Sequence, residues 1–162
     1  MHKSLDMITL NKPAITLSVT LLMLITTPLA SFAQDVNGMK LAETYNYSYV
    51  TNKFGAPDRY WSRESEFGLD EKYYYGQNFF RFSNNGFFST FTLIDNRFAV
   101  FTLDLQGGIK VGEPVAKFNQ LGFGQLEVKP DGSYYFRGIG DAVFEIFHND
   151  GIITRMVCRF PS

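Results

Sequence analysis

Two aromatic hairpins give the chain its clearest pattern of apolar and polar positions. The first, Asn78 to Ile94, reads NFFRFSNNGFFSTFTLI and turns at residues 84–86. The second, Val143 to Cys158, reads VFEIFHNDGIITRMVC and turns at residues 149–151. Asn-Gly and Asp-Gly between apolar runs predict tight β-hairpins, because these residues accept the positive φ angles that such turns need.

Two other segments carry apolar residues at helical spacing, each closed by a glycine. Asn46 is a suitable N-cap for a helix from Tyr47 to Phe54, which Gly55 ends. A second helix is predicted at about Val115 to Leu121, with Pro114 in its first turn. Further strands are predicted over DRYWSRE, KYYYG, RFAVFTLDL and QLEVKPDGSYYF, and residues 34–41 read as a flexible lead-in.

The order helix, strand, strand, hairpin occurs twice, with spacings of 67 residues at the helix ends and 65 at the hairpin turns. We interpret this as an internal repeat, with repeat one at about 44–104 and repeat two at about 109–160. Matching residues are Phe79 with Phe144, Phe82 with Phe147 and Asn84 with Asn149. Neither copy alone would bury its sheet face. We therefore expect an α+β fold, a single antiparallel sheet of about 7–8 strands with two short helices on one face.

Residues 1–33 have the pattern of a signal peptide. Basic residues precede a largely apolar run, and Ser31-Phe32-Ala33 gives the small-x-small sequence before a cut. Met7 is an alternative start that would leave a more ordinary leader. A membrane anchor needs about 20 apolar residues, and this run is shorter. We expect a periplasmic or secreted domain, 34–162, with no transmembrane segment after cleavage near Ala33.

Composition narrows the classes of partner. The 129 residues after position 33 hold 13 basic and 15 acidic side chains, which gives no electrostatic case for nucleic acid or an anionic membrane. The single cysteine excludes an intrachain disulfide, so the domain must depend on its core. Aromatic residues number 26 of these 129, more than one core of this size should need.

Two sequence segments, KFGAPDRYW and IKVGEPVAKFNQLG, resemble motifs of a known group of proteins. They look like the helix-Gly-x-Pro and VG-x-x-helix phrases of tandem domains in the beta-lactamase inhibitory protein-like and SmpA-like group, an organisation that many secreted proteins of Bacteroidetes-type bacteria share. The resemblance implies helices on one face of a curved antiparallel sheet whose concave face is free for protein contacts. It implies no particular target. The second copy departs from the pattern, since QLGFGQ lacks the proline.

The sequence gives no sign of catalytic, metal or cofactor chemistry. His148 is the only histidine after residue 33, and a metal site needs several converging ligands. Cys158 lacks an adjacent base and reads as a buried small hydrophobe. The acidic pair Glu64 and Glu66 lies in a polar connection, where solvated charge is ordinary. No catalytic serine elbow, phosphate loop or dinucleotide fingerprint occurs.

The candidate binding surface is a sheet face rich in aromatic and basic residues. If residues 85–86 form a two-residue turn, Phe79, Arg81 and Phe88 share the outer side of the first hairpin. Tyr, Trp and Arg are enriched in binding hot spots. The candidate binding residues are Tyr60, Trp61, Tyr73, Tyr75, Phe79, Arg81, Phe88 and Arg155.

Three hypotheses about function follow. The leading one is a non-enzymatic binding domain whose aromatic sheet face contacts another protein or an envelope polymer. The second is a small β-barrel-like carrier of an apolar ligand, which needs a closed sheet around an empty interior. The third is an enzyme of unrecognised type, which needs polar groups of perturbed acidity in a cleft.

Overall fold

The computed structural model describes residues 35–101, 108–120, 127–137 and 142–160. Predicted features outside these ranges, the leader at 1–33 among them, lie outside the described residues. The elements in chain order are β1 (Asp35–Val36), β2 (Met39–Lys40), α1 (Tyr47–Phe54), β3 (Arg59–Ser65), β4 (Gly68–Tyr75), β5 (Asn78–Ser83), β6 (Phe87–Leu93), β7 (Val100–Phe101), α2 (Val115–Gln120), β8 (Glu127–Val128), β9 (Tyr134–Arg137), β10 (Val143–Asn149) and β11 (Ile152–Arg159).

Local sequence signals account for α1. The Asn46 side chain accepts a hydrogen bond from the backbone N–H of Tyr49 at 2.8 Å, as an N-cap does. At the other end Gly55 has a φ of 84°, and its N–H donates to the Thr51 carbonyl at 2.8 Å. Val50 is fully buried. The predicted helix at Tyr47–Phe54 is confirmed.

The main sheet is antiparallel and has the strand order β3-β4-β5-β6-β11-β10-β9-β8. The last strands of the two halves meet in its centre, where Phe91 lies opposite Cys158 and Leu93 opposite Met156. One half is a meander of β3 to β6, and the other is a meander of β8 to β11. The two halves are therefore related by an approximate two-fold axis through the β6–β11 contact.

The prediction of a single sheet under an α+β fold is wrong. The described residues form a second sheet of three strands, in the order β2-β1-β7, and strands greatly outweigh the two short helices. The lead-in predicted to be flexible supplies its first hairpin, which turns at Asn37 and Gly38 with φ angles of 49° and 85°. Val36, Met39 and Val100 of this sheet are fully buried and belong to the core.

In the first half, three backbone hydrogen bonds join the segment that leads into the helix to the turn of the hairpin and the start of the strand after it. Ala42 N–H donates to the Phe88 carbonyl at 2.9 Å, and Phe88 N–H donates to the Glu43 carbonyl at 2.8 Å. Tyr45 N–H donates to the Gly86 carbonyl at 2.8 Å. We call this set of three bonds the clamp.

The second half has the same clamp. Gly112 N–H donates to the Ile153 carbonyl at 2.8 Å, Ile153 N–H to the Glu113 carbonyl at 2.9 Å, and Val115 N–H to the Gly151 carbonyl at 2.8 Å. Each donor and acceptor occupies the position equivalent to its counterpart in the first half. The recurrence of the clamp adds to the case for an internal repeat.

A β-bulge changes the register expected for the first hairpin. Phe80 lies opposite Phe91 and Arg81 opposite Thr90, as predicted, but Phe82 then lies opposite Phe88. The turn has three residues, 84–86, and Ser89 is the additional residue of β6. Because a one-residue shift moves side chains to the other face of a sheet, Phe88 points into the core.

The second hairpin has the same bulge with a shorter turn. Phe147 lies opposite Arg155 and His148 opposite Ile153, and the turn has two residues, 150–151. Cys158 accordingly lies opposite Phe144. Because the first turn is one residue longer, the matches Phe79/Phe144, Phe82/Phe147 and Asn84/Asn149 are wrong by one residue. The structural equivalents are Phe80/Ile146 and Ser83/Asn149.

The inner face of the main sheet is the site of the core. Phe54 of α1 packs against Phe80 with ring centroids 5.4 Å apart and against Phe98 at 5.3 Å. Phe118 of α2 stacks on Phe144 at 5.8 Å. Both helices and the three-stranded sheet thus contribute to one hydrophobic core over the same face.

The clamp predicts that two equivalent glycines respond differently to alanine. Gly86 has a φ of 102°, and a Cβ there would lie 2.2 Å from the Tyr45 carbonyl oxygen, whereas a Cβ on Gly151 meets nothing within 4 Å. Gly151→Ala should cost about 1–2 kcal/mol of unfolding free energy, the penalty for a positive φ. Gly86→Ala should cost at least about 2 kcal/mol more, because the clamp must shift. Urea denaturation measures both, and equal losses would contradict the close contact.

Candidate functional site

The outer face of the main sheet lies opposite the helices and carries most of its charged residues. Strand register assigns the positions, because residues directly opposite one another share a face. Its described charged and aromatic side chains are Arg59, Trp61, Arg63, Asp70, Lys72, Tyr74, Phe79, Arg81, Phe87, Glu127, Lys129, Glu145, Phe147, Arg155 and Arg159.

Basic residues exceed acidic ones on this outer face. Seven of the side chains just named are Lys or Arg, and three are Asp or Glu. The chain as a whole has a formal net charge of −1. The fold therefore separates charge, with a basic sheet face and an acidic remainder.

Three cation–aromatic pairs lie across neighbouring strands of the outer face. The Arg59 guanidinium carbon lies 3.9 Å from the Tyr74 ring centroid, and the Lys72 ammonium lies 5.0 Å from that of Trp61. In the second half the Arg155 guanidinium carbon lies 3.7 Å from the ring centroid of Phe147. Each exposed pair contributes about 0.5–1 kcal/mol and holds a cation in a fixed place on the sheet.

Ion pairs fix three further cations. Arg81 Nη2 donates to Asp70 Oδ2 at 3.0 Å, with the two side chains 40% and 21% exposed. Glu145, 11% exposed, accepts from Lys129 and from Arg159, the latter at 3.2 Å. One carboxylate thus lies between two cations and leaves a net positive charge on this part of the face.

Four of the eight predicted binding residues lie on the outer face: Trp61, Phe79, Arg81 and Arg155. Phe79 packs against Tyr74 with centroids 5.8 Å apart, beside the Trp61–Lys72 pair. Arg155 lies four strands from Trp61, roughly 19 Å at the usual strand spacing. The face therefore has one cluster in each half instead of a single patch.

The other four predicted residues lie on the inner side of the sheet. Tyr73, Tyr75 and Phe88 are at most 3% exposed, so they are core residues. Phe88 stacks on Phe82 at 5.1 Å, and its predicted place on the outer side is wrong because of the bulge. Tyr60 is 41% exposed at the sheet edge.

A buried carboxylate organises the tyrosines at this edge. Glu71 Oε1 accepts from Tyr60 Oη at 2.6 Å and from Tyr73 Oη at 2.9 Å. Burial, followed by the bond to Glu71, raises the pKa of Tyr60 to about 12. Burial likewise raises the pKa of Tyr75 to about 12, and its hydroxyl donates to the Gly55 carbonyl at 3.0 Å.

Sequence reasoning missed Arg59, Lys72, Tyr74 and Phe147 of the cation–aromatic pairs. A signal for two of the pairs was present, because Ser65 lies opposite Gly68 across a two-residue turn. That register places Arg59 opposite Tyr74 and Trp61 opposite Lys72. Interpreting residues 65–71 as a polar connection, when they include two strand ends and the turn between them, concealed this register.

The residues considered for chemistry are not brought together. Cys158 is buried against Phe144, and burial raises its thiol pKa. His148 Nε2 lies 3.1 Å from the Gly132 carbonyl oxygen, with its ring against Tyr134. Within the described ranges, no three His, Cys, Asp or Glu side chains group as metal ligands would.

Comparison with known proteins gives no match to a family model, to a curated protein or to a solved structure. The resemblance to the beta-lactamase inhibitory protein-like and SmpA-like group stays an expectation from short sequence phrases. No helix in the described part of the chain has the length and apolar character to cross a membrane.

The division between the two faces predicts unequal effects on stability. Tyr75→Ala empties a core position that is 3% exposed and should cost about 3–5 kcal/mol of unfolding free energy. Trp61→Ala removes a ring that is 40% exposed and a cation–aromatic pair, so it should cost about 1 kcal/mol. Chemical denaturation compares the two variants, and a Trp61 effect as large as that of Tyr75 would place Trp61 in the core.

The raised tyrosine pKa values predict loss of stability at alkaline pH. An unfolded tyrosine has a pKa of about 10, so above that pH the unfolded chain releases protons that Tyr75 retains until about pH 12. This contribution is complete below pH 10 and is lost as pH rises from about 10 to about 12. A two-unit shift corresponds to about 2–3 kcal/mol.

Tyr75→Phe provides the control for this prediction. At neutral pH the variant should lose about 1 kcal/mol with its hydrogen bond to Gly55. Between pH 10 and pH 12 its unfolding free energy should decline less than that of the wild type. An unchanged decline would assign the alkaline loss to other groups.

Proposed function

We propose that this chain is a non-enzymatic binding domain whose outer sheet face binds an anionic polymer. The observation that carries the proposal is the excess of basic residues among the described side chains of that face, seven against three, in a chain of slightly negative net charge. A local field of one sign concentrates ligands of the opposite sign and speeds their arrival.

The spacing of the cations supports a polymer as the ligand. Outer-face residues repeat at about 7 Å along a strand and at about 4.8 Å between strands. Such a lattice offers many moderate contacts to a chain of repeated anionic groups. Trp61 and Phe79 add apolar surface between the charges, which suits the ring faces of a polysaccharide.

The inner face favours this proposal over a carrier of an apolar ligand. The Phe88 ring packs against Phe80 and Phe82, with centroids 5.8 Å and 5.1 Å away, where a carrier needs space. The sheet order ends at β3 and β8, which do not pair with each other in the described structure, whereas a barrel needs a closed sheet.

The proposal places the protein outside the cytoplasm. The leader pattern at residues 1–33 supports export to the periplasm or beyond. Anionic polysaccharides of the envelope or the surrounding matrix are polymers that an exported domain meets.

Binding should depend on outer-face cations and on salt. The probes are alginate as a polyuronate, polyglutamate as an acidic peptide and dextran as a neutral polysaccharide, with calorimetry as the measurement. We expect binding to alginate that weakens with salt, since the Debye length is about 8 Å at physiological ionic strength. Replacing Arg59 and Arg63 together by Gln should weaken it about five- to tenfold.

Lys53 and Lys110 lie away from the outer face and supply the matched control. Their double replacement by Gln makes the same change in net charge and should leave alginate binding within about twofold. Equal losses in the two double variants would contradict a site on the outer face. Preference for polyglutamate would indicate an acidic protein as the partner, and equal binding to dextran would exclude charge as its basis.

A further inference from the structure

The strand β3 forms one edge of the main sheet and is open to solvent along its whole length. All seven of its residues, Arg59–Ser65, are exposed. It pairs with β4 on one side, and no other strand of the described ranges pairs with it. The opposite edge, β8, has only two residues. An edge strand of this length presents a row of unpaired N–H and C=O groups that can accept another strand.

We propose that the protein forms a two-fold symmetric dimer through antiparallel pairing of two β3 strands, with Ser62 on the symmetry axis. The proposal is independent of the proposed ligand. A two-fold axis brings identical edges together in antiparallel orientation, as isologous interfaces require.

Strand geometry limits the registers available to such a dimer. Neighbouring residues of a strand direct their N–H and C=O groups alternately to its two sides. Two residues that lie opposite each other in an antiparallel pair must therefore both direct these groups toward the partner strand, or both direct them away from it. In a pair of identical strands, the two opposite residues are therefore both odd-numbered or both even-numbered. Only registers centred on a residue satisfy this condition.

The register centred on Ser62 pairs the complete strand. Ser62 is the midpoint of Arg59–Ser65, so all seven residues find a counterpart in the second copy. Trp61 then lies opposite Arg63 of the second copy, and Tyr60 lies opposite Glu64. The Trp61 ring already pairs with a cation on its neighbour strand, at 5.0 Å from Lys72.

The two adjacent registers pair fewer residues and place like charges opposite each other. Centring on Trp61 places Arg59 opposite Arg63 of the second copy, and centring on Arg63 places two Arg63 side chains opposite each other. Like charges directly opposite are destabilising in a sheet. Each shift also leaves two residues of every strand unpaired. The number of paired residues and the avoidance of like-charge pairs thus favour the same register.

The first test is the oligomeric state of protein expressed from the full-length sequence, measured by sedimentation equilibrium. We expect a monomer–dimer equilibrium. Ser62→Asp places two carboxylates opposite each other at the axis and should raise the dimer dissociation constant at least about tenfold. Ser48→Asp adds the same charge on the exposed face of α1 and should leave the constant unchanged. A monomer at all soluble concentrations, or equal effects of the two variants, would overturn the proposal.

The second test is disulfide formation at the axis. Opposite Cα atoms in antiparallel strands are about 4.5–5.5 Å apart, within the range that a disulfide spans. In oxidised glutathione, Ser62→Cys should give a covalent dimer at least about tenfold faster than Ser48→Cys, whose Cys residues meet only by collision. Wild-type protein, whose Cys158 is buried, gives the baseline. Equal rates for the two variants would place the interface elsewhere.

Discussion

The clamp is the constraint on which the rest of the fold depends. Three backbone hydrogen bonds in each half join the segment that leads into a helix to the turn and the following strand of the hairpin that closes the same half. These backbone bonds fix the helix over the inner face of its own meander without a contribution from side chains. The recurrence of the clamp in both halves explains why the helices lie on the same face, since the β6–β11 pairing relates the halves by an approximate two-fold axis.

The bulge decides which aromatic residues belong to the core. Without Ser89 as an additional residue, Phe88 would share the outer face with Arg81, and the inner layer would lack a ring beside Phe80 and Phe82. The many aromatic residues that suggested a binding surface therefore largely fill the hydrophobic core. The outer face holds a smaller set of aromatic residues, and three of them, Trp61, Tyr74 and Phe147, pair with cations.

Elements defined by local sequence signals could be predicted, whereas the pairing and register of the strands could not. The helix at Tyr47–Phe54 could be located because its cap and its closing glycine lie within the segment itself. The hairpin at Asn37-Gly38 has the same Asn-Gly signal as the aromatic hairpin, but its strands have only two residues each. The pairing of β1 with β7 depends on residues more than sixty positions away. Strand propensity alone does not identify such a contact.

Net charge was a poor guide to the outer face for a physical reason. At physiological ionic strength a charge is screened over about 8 Å, whereas packed layers of a protein are separated by about 10 Å. A ligand at the outer face therefore responds to Arg59, Arg63 and their neighbours far more than to acidic groups on the helix side. The slight negative net charge argues against polyanions only if charge is spread evenly, and the strand register shows that it is not. A dimer through β3 would bring the Trp61 and Arg63 positions of two copies together and extend this field across the axis.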